Sequence, residues 1–179
     1  MNLDKKILAL AEELVSYGRK KGADQVEVVI NETTDFRVDV LQGKIENLKE
    51  ASSKTAAIKI IKEQKVINVS SSDLNLKTLH GLIDRSVERA VLLNPDPFSA
   101  LPETSTTDVD PESLKIYDQA VVEMSPQAKI ERAKLIEHVS LSDNRVKKSF
   151  GASVSSTFGN RYLANSNDFA GCYGRTSVA

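Results

Sequence analysis

The stretch QVEVVINETTDFRVDVLQGKIENLKE, residues 25–50, decides the fold. Its apolar side chains alternate with polar ones at Val26, Val28, Ile30, Phe36, Val38 and Val40. A period of two is typical of half-buried β-strands, because successive side chains point to opposite faces of a sheet. Gln42-Gly43 is suited to a tight reversal. The stretch therefore predicts antiparallel strands with one apolar face.

The segments on either side extend this unit. Residues 54–70, KTAAIKIIKEQKVINVS, repeat the alternation around a turn at Glu63-Gln64-Lys65, so we expect four or five antiparallel strands. Residues 3–21 predict an amphipathic helix that ends at Gly22. A second helix begins after Asp73 as N-cap, and its buried stripe is Leu76, Leu79, Ile83, Val87 and Ala90. Residues 1–93 thus predict an N-terminal α+β domain: an antiparallel meander covered by two helices.

The glycine within the second helix is a local exception to helix propensity. Gly81 costs about 1 kcal/mol relative to alanine there, which predicts close packing against the sheet. Proline-rich residues 94–111 then predict an extended connector that lies over the surface, where Phe98 and Leu101 are buried.

Residues 112–179 repeat the order of helix followed by meander. Ser125-Pro126 predicts a helix start, and the expected buried stripe is Ile130, Ala133, Ile136 and Val139. Strands follow, with reversals at Gly159-Asn160 and after residue 168. The last strand carries few apolar side chains and would lie at an edge. We therefore expect this second unit to be incomplete, the beginning of a middle domain in a longer chain.

The composition argues against several classes of function. The 24 basic and 25 acidic residues give a net charge of −1, which does not supply the concentrated basic surface that nucleic acid requires. Lys147-Lys148 is interpreted as a solvated strand edge. The single cysteine, Cys172, excludes an internal disulfide framework. The sequence contains no membrane-spanning apolar run, so we predict a cytoplasmic protein with no membrane or direct nucleic-acid partner.

The sequence alone indicates no catalytic, cofactor-binding or metal-binding residues. Neither His80 nor His138 belongs to a His-Glu-x-x-His motif or its one-residue-longer variant, so both are interpreted as structural or surface residues. The many serines lack a Gly-x-Ser-x-Gly context. Gly171-Cys172-Tyr173-Gly174 lacks the spacing and the lysine of a phosphate loop.

Several stretches in register resemble one family. Residues 23–74, from ADQVEVVINETT to NVSSSDL, are similar to the opening meander of the TldD/PmbA proteins, also called modulators of DNA gyrase. NPDPFSALPE resembles the connector of the PmbA (TldE) branch, and VDPESLKIYD and residues 145–177 continue the match into the middle domain. One departure is Asn165-Ser166-Asn167-Asp168, where the family usually has Asn-Ser-x-Gly; Asn or Asp can still form a left-handed turn.

The resemblance implies a function that the residues do not show by themselves. It implies a metallopeptidase acting on small or unfolded peptides, with zinc bound by a His-Glu-x-x-x-His motif in a TldD-type partner subunit. No position here matches that motif. We therefore expect an inactive, architectural segment that contacts a TldD-like subunit or another copy of itself. Strand edges such as 44–53 would guide an extended peptide. The alternative is a non-enzymatic binding module that works independently of any protease.

Overall fold

In the computed structural model, which describes residues 3–103 and 111–179, the strands form one antiparallel sheet with the order β3-β2-β1-β4-β5. The strands are β1 Gln25–Leu41, β2 Lys44–Lys62, β3 Lys65–Ser71, β4 Ala152–Asn165 and β5 Ala170–Val178. The helices are α1 Lys5–Lys20, α2 Leu76–Arg89, α3 Gln119–Glu123 and α4 Pro126–Ser140, with 3₁₀ turns at Ala90–Leu92 and Pro111–Leu114. The α+β class, with an antiparallel meander and covering helices, is confirmed.

The first three strands are longer and fewer than predicted. The first unit has three strands where four or five were expected. Residues 25–41 form one continuous strand, because β2 pairs with β1 along its whole length, from Gln25 opposite Ile61 to Leu41 opposite Lys44. Both predicted turns are present. Gln42 and Gly43 have φ of 52° and 71°, and Glu63 and Gln64 have φ of 51° and 62°, the left-handed values that two-residue hairpin turns require.

The helices cover one face of the sheet at its two ends. α1 and α2 cover the end where β1 starts, over a buried cluster that includes Val26, Val28, Ile30, Ile58, Ile60, Leu79 and Ile83. α4 covers the other end, where its Ala133 packs with Phe36, Val38, Val40 and Val154. We call this side of the sheet the helix face and the opposite side the polar face. Residues of neighbouring antiparallel strands that lie directly opposite each other share a face.

The strands of the second segment extend the first sheet. β4 pairs with β1 from Glu27 opposite Asn165 to Val40 opposite Ala152. The reversal predicted at Gly159-Asn160 is wrong, because β4 runs straight through these residues beside β1. The later reversal is confirmed: the Asn165 amide donates to the Phe169 carbonyl at 2.9 Å, and Asp168 is left-handed with φ of 60°.

Two details of the second helix differ from the predictions. Its N-cap is Asn75, whose side chain accepts from the Lys77 amide. Asp73 lies two residues earlier and accepts from the Asn75 amide and the Thr78 hydroxyl. Gly81 does not pack closely against the sheet, since a Cβ there would meet only the Arg85 side chain at 3.5 Å.

The orientation of α4 also differs from its predicted stripe. Ala133 is buried and Ile130 is partly buried, but Ile136 and Val139 are 48% and 59% exposed. The helix instead turns Lys129 and Glu137 toward the sheet, and both are almost fully buried.

The connector was predicted over 94–111, and its residues 104–110 lie outside the described residues. Leu101 is buried as expected and its amide donates to Gln25 Oε1 at 2.7 Å, whereas Phe98 is 94% exposed. No helix in the described part of the chain combines the length and apolar character that crossing a membrane would need. The division into domains at 93 and 112 stays a prediction.

Candidate functional site

The centre of the helix face lies uncovered between the two groups of helices. Here Glu32 and Thr34 of β1 lie beside Ser52 and Lys54 of β2 and beside Phe158 and Asn160 of β4; they line a groove of about 380 Å³ that we call the central groove. A second concavity lies behind it on the polar face. That concavity has a volume of about 230 Å³, and we call it the arginine pocket. The residues that line it are Asn31, Glu32, Thr33, Thr157, Gly159, Asn160, Arg161, Tyr173 and Arg175. By the strand register, the side chains of Asn31, Thr33, Thr157, Arg161, Tyr173 and Arg175 share the polar face.

Gly159 separates the two concavities. An added Cβ at this glycine would lie 2.3 Å from the Glu32 carbonyl oxygen and 3.1 Å from the Thr33 Cα, both of them backbone atoms of β1. Only glycine permits the close approach of β4 to β1 at this point. The floor of the arginine pocket is therefore bare backbone.

A charged network crosses the central groove. Glu32 forms an ion pair with the Lys54 ammonium group at 2.5 Å, and this contact raises the pKa of Lys54 above its ordinary value. Glu32 also accepts from the fully buried Tyr162 hydroxyl at 3.2 Å, and that hydroxyl accepts from the Asp4 amide at 3.0 Å. Burial raises the pKa of Tyr162, so the phenol stays protonated. The network ties the start of α1 to the middle of the sheet.

A buried carboxylate fixes α4 to the β1–β2 turn. Glu137 is 2% exposed and accepts from the amides of Gln42 at 2.9 Å and Gly43 at 2.8 Å. These two amides belong to a hairpin turn and would otherwise lack a partner in the protein. The hydrogen bond from Gly43, with a further one from Gln42, lowers the pKa of Glu137. Sequence analysis missed this role, because the donors lie about ninety-five residues away.

The two histidines lie on helices at opposite ends of the sheet. His80 stacks on Tyr17, with ring centroids 3.7 Å apart, and its Nε2 lies 3.6 Å from Glu13. His138 is exposed on α4. Within the described residues, no three His, Cys, Asp or Glu side chains are grouped so that they could hold a metal ion.

The first half of β2 has an open edge in the described part of the chain, in addition to the outer edges of β3 and β5. β3 pairs only with the second half of β2, from Ala56 opposite Ser71 to Lys62 opposite Lys65. Residues 44–55 of β2 therefore pair with β1 alone. Their exposed side chains include Ile45 and Leu48, which are 45% and 47% exposed. This region contains the edge predicted for residues 44–53.

Comparison with protein families gives two matches in chain order. PmbA/TldA metallopeptidase domain 1 matches residues 26–91, and the PmbA/TldA metallopeptidase central domain matches residues 120–179. A curated relative, metalloprotease PmbA of Escherichia coli O157:H7, is 27% identical over 161 residues. That alignment covers 89% of this chain and 34% of the relative, so the chain spans about a third of the relative's length.

Solved structures share the fold. TldE from Thermococcus kodakarensis superposes with a TM-score of 0.78 at 19% identity, over 94% of this chain and 37% of that one. A protein from Bacteroides thetaiotaomicron, described as a candidate modulator of DNA gyrase, gives 0.78 at 24% identity, over 99% and 40%. The fold and the order of the two matched domains place the chain among metallopeptidase-family subunits. The chain belongs to the TldD/PmbA family and is of the PmbA/TldE type.

Proposed function

We propose that the chain forms the N-terminal part of a PmbA/TldE-like subunit in a TldD/TldE-type metallopeptidase complex that acts on small or unfolded peptides. Its role there is architectural: it contacts a TldD-like subunit or a second copy and guides the substrate. No residue of this segment is catalytic, and zinc is bound by the partner subunit. The observation that carries the proposal is the pair of consecutive domain matches in a sequence without a His-Glu-x-x-x-His motif.

The outer side of α4 supports a role in subunit contacts. Leu135 and Val139 are each 59% exposed and lie one helical turn apart, with Ile136 beside them. Exposed apolar side chains that adjoin on one helix are typical of a surface that another protein element covers. The hydrogen bonds that Glu137 accepts from the β1–β2 turn fix this helix on the sheet, so its apolar side faces outward in one orientation.

The open edge of β2 supports the substrate-guiding role. An extended peptide can add to a free edge through main-chain hydrogen bonds, which do not depend on the peptide's sequence. Residues 44–55 offer such an edge among the described residues. That property suits a subunit that handles unfolded peptides of varied sequence.

The test measures both peptide cleavage and binding to the TldD-type protein. The 179-residue chain, the TldD-type protein encoded in the same genome and their mixture are each incubated with unfolded protein and zinc. We expect no cleavage by the chain alone, and co-elution of the chain with the TldD-type protein. Leu135→Glu and Val139→Glu should weaken co-elution, whereas Lys134→Glu, an exposed control on the same helix, should not.

Two results would contradict this proposal. Zinc-dependent, chelator-sensitive cleavage by the isolated chain would show that it has its own catalytic site. Peptide binding without any association with the TldD-type protein would favour the alternative, an independent binding module.

A further inference from the structure

The arginine pocket has a composition that the proposed architectural role does not require. Three adjacent strands of the polar face contribute to it: β1 with Asn31 and Thr33, β4 with Thr157 and Arg161, and β5 with Tyr173 and Arg175. Every one of these side chains carries a hydrogen-bonding group, and the pocket's floor is the backbone at Gly159. The pocket is therefore built for a polar ligand.

The two arginines are close enough to act on one ligand. Arg161 lies directly opposite Tyr173, and Arg175 lies directly opposite Gly159, so the arginines are diagonal neighbours on β4 and β5. Diagonal neighbours on adjacent strands lie about 7–8 Å apart at the backbone, within reach of long side chains. Because Gly159 has no side chain, nothing fills the space in front of Arg175 on β4.

The charge of the pocket is positive. Among the described residues, no carboxylate lies within 4.0 Å of either Arg161 or Arg175, whereas Arg37 on the same face pairs with Asp39 at 2.7 Å. The carboxylate next to the pocket, Asp35, already accepts from the Thr157 hydroxyl at 2.6 Å. Glu32 also lines the pocket, but its carboxylate is paired with Lys54 and accepts from Tyr162 on the helix face. Two guanidinium groups thus line the pocket, and Asp35 is its acidic neighbour on the polar face.

The size and surroundings of the pocket narrow the choice of ligand. At about 230 Å³ it is smaller than the roughly 300–1,000 Å³ typical of sites for whole cofactors and drug-sized ligands. It can therefore hold one small group or the end of a longer chain. Phosphate sites commonly use free backbone amides at helix starts or glycine-rich loops. Here the pocket lies among paired strands, so its donors are side chains, and arginine forks match a planar carboxylate well.

We propose that the arginine pocket binds the C-terminal carboxylate of an extended peptide, held by Arg161 and Arg175 with Asn31, Thr33 and Tyr173 around it. The identification of the ligand as a peptide rests on the proposed function, whereas the capture of a carboxylate rests on the pocket alone. Such a site would select a free chain end. It would thereby distinguish short peptides and unfolded tails from internal loops of folded proteins.

The test is a titration of the 179-residue chain, followed by amide and arginine side-chain NMR signals. The probes are an acetylated tri-alanine with a free carboxylate, the same peptide as its C-terminal amide, and inorganic phosphate, all at one ionic strength. We expect the free acid to shift the signals of Arg161, Tyr173 and Arg175. The amide should bind at least about tenfold more weakly, the loss expected for charge-assisted hydrogen bonds.

Substitutions of single arginines test whether the free acid binds in the arginine pocket. Arg161→Gln and Arg175→Gln should each weaken binding of the free acid by at least about tenfold. Arg37→Gln removes the same charge from the same face outside the pocket, and it should leave the affinity within about twofold, since exposed charges at this distance are largely screened. Both pocket arginines are exposed, so far-ultraviolet circular dichroism should show that all three variants fold.

Any other outcome of the titration overturns the assignment of the pocket to a carboxylate. Equal binding of acid and amide, with shifts at residues 44–55, would leave the peptide-guiding role standing and refute carboxylate capture. Preferential binding of phosphate to the same arginines would replace the carboxylate with a phosphate-bearing ligand. No binding of any probe would refute the site. If the free acid binds but no TldD-type protein associates, the site stands and the proposed function fails.

Discussion

The negative charge of Glu137 stabilises the contact between α4 and the sheet. Its carboxylate accepts two backbone amides of the β1–β2 turn, and those bonds, that from Gly43 foremost, lower its pKa in the folded chain from 4.5. A group with a lowered folded pKa contributes stability that is fully present above its unfolded pKa. That stability is lost as the pH falls through the folded pKa.

Glu137→Gln should therefore lower the melting temperature at pH 7, because an amide offers one acceptor atom and turns an N–H donor toward the turn. The difference from the parent chain should shrink as the pH falls below 4.5 and the parent's carboxyl group becomes protonated. Thermal unfolding followed by circular dichroism across this range checks it. Glu131→Gln, exposed on the same helix, is the control and should behave like the parent throughout. A difference that is independent of pH would contradict the linkage.

Two glycines give opposite predictions for the same substitution. Gly159→Ala places a Cβ 2.3 Å from a backbone oxygen of β1, so the strands must move apart, at a cost of about 1–3 kcal/mol. Gly81→Ala lies within α2, where the added Cβ makes only an ordinary contact, and should stabilise by about 1 kcal/mol. Urea unfolding of both variants measures the two changes in the free energy of unfolding. A Gly159→Ala variant as stable as the parent would show that β4 and β1 do not approach this closely.

At the scale of elements, β2 is divided between a protected half and an edge half. Residues 56–62 have paired strands on both sides, whereas residues 44–55 have only β1. Native-state hydrogen exchange should therefore show every amide at 56–62 protected, but only every second amide at 44–55. The pattern can be read from two-dimensional NMR spectra in deuterium oxide. Uniform protection at 44–55 would show that this edge is covered.

The elements also show which parts of the structure the sequence could predict. The hairpin turns at Gln42-Gly43 and Glu63-Gln64 follow from local chemistry, and so does the alternation in β1. The orientation of α4 does not, because apolar residues lie on two of its sides. The choice between them is made by turn amides about ninety-five residues away in the chain. Gly159 was misread for a similar reason: glycine is typical of turns, and its contact with Glu32 is non-local.

The candidate site could be predicted only in part. The edge at 44–53 was predicted from the strand pattern, as a place where an extended peptide could add a strand. The arginine pocket was not, because Arg161 and Arg175 are brought beside Asn31 by the pairing of β4 with β1, which no local pattern specifies. The pairing of these distant strands must be known before the three residues can be recognised as neighbours.

At the scale of the whole molecule, the sheet joins the segments that the sequence divides. β1 is the central strand of the sheet, with β2 on one side and β4 on the other, and the β1–β4 register runs from Glu27 to Val40. Removing β4 would leave one edge of β1 unpaired, and β1 contains the longest buried stretch of the first segment. Each segment therefore depends on the other for part of its core.

This shared strand predicts that residues 26–71 and 152–178 unfold together in one cooperative transition, since β4 cannot detach without leaving one edge of β1 unpaired. Loss of native amide signals across a urea titration gives a midpoint for each residue. The midpoints of the two ranges should coincide within error, and Glu137→Gln should shift both by the same amount, although that residue belongs to neither range. Earlier loss of signals from 152–178, with 26–71 still native, would contradict this and favour the independent domain that the sequence pattern predicts for residues 112–179.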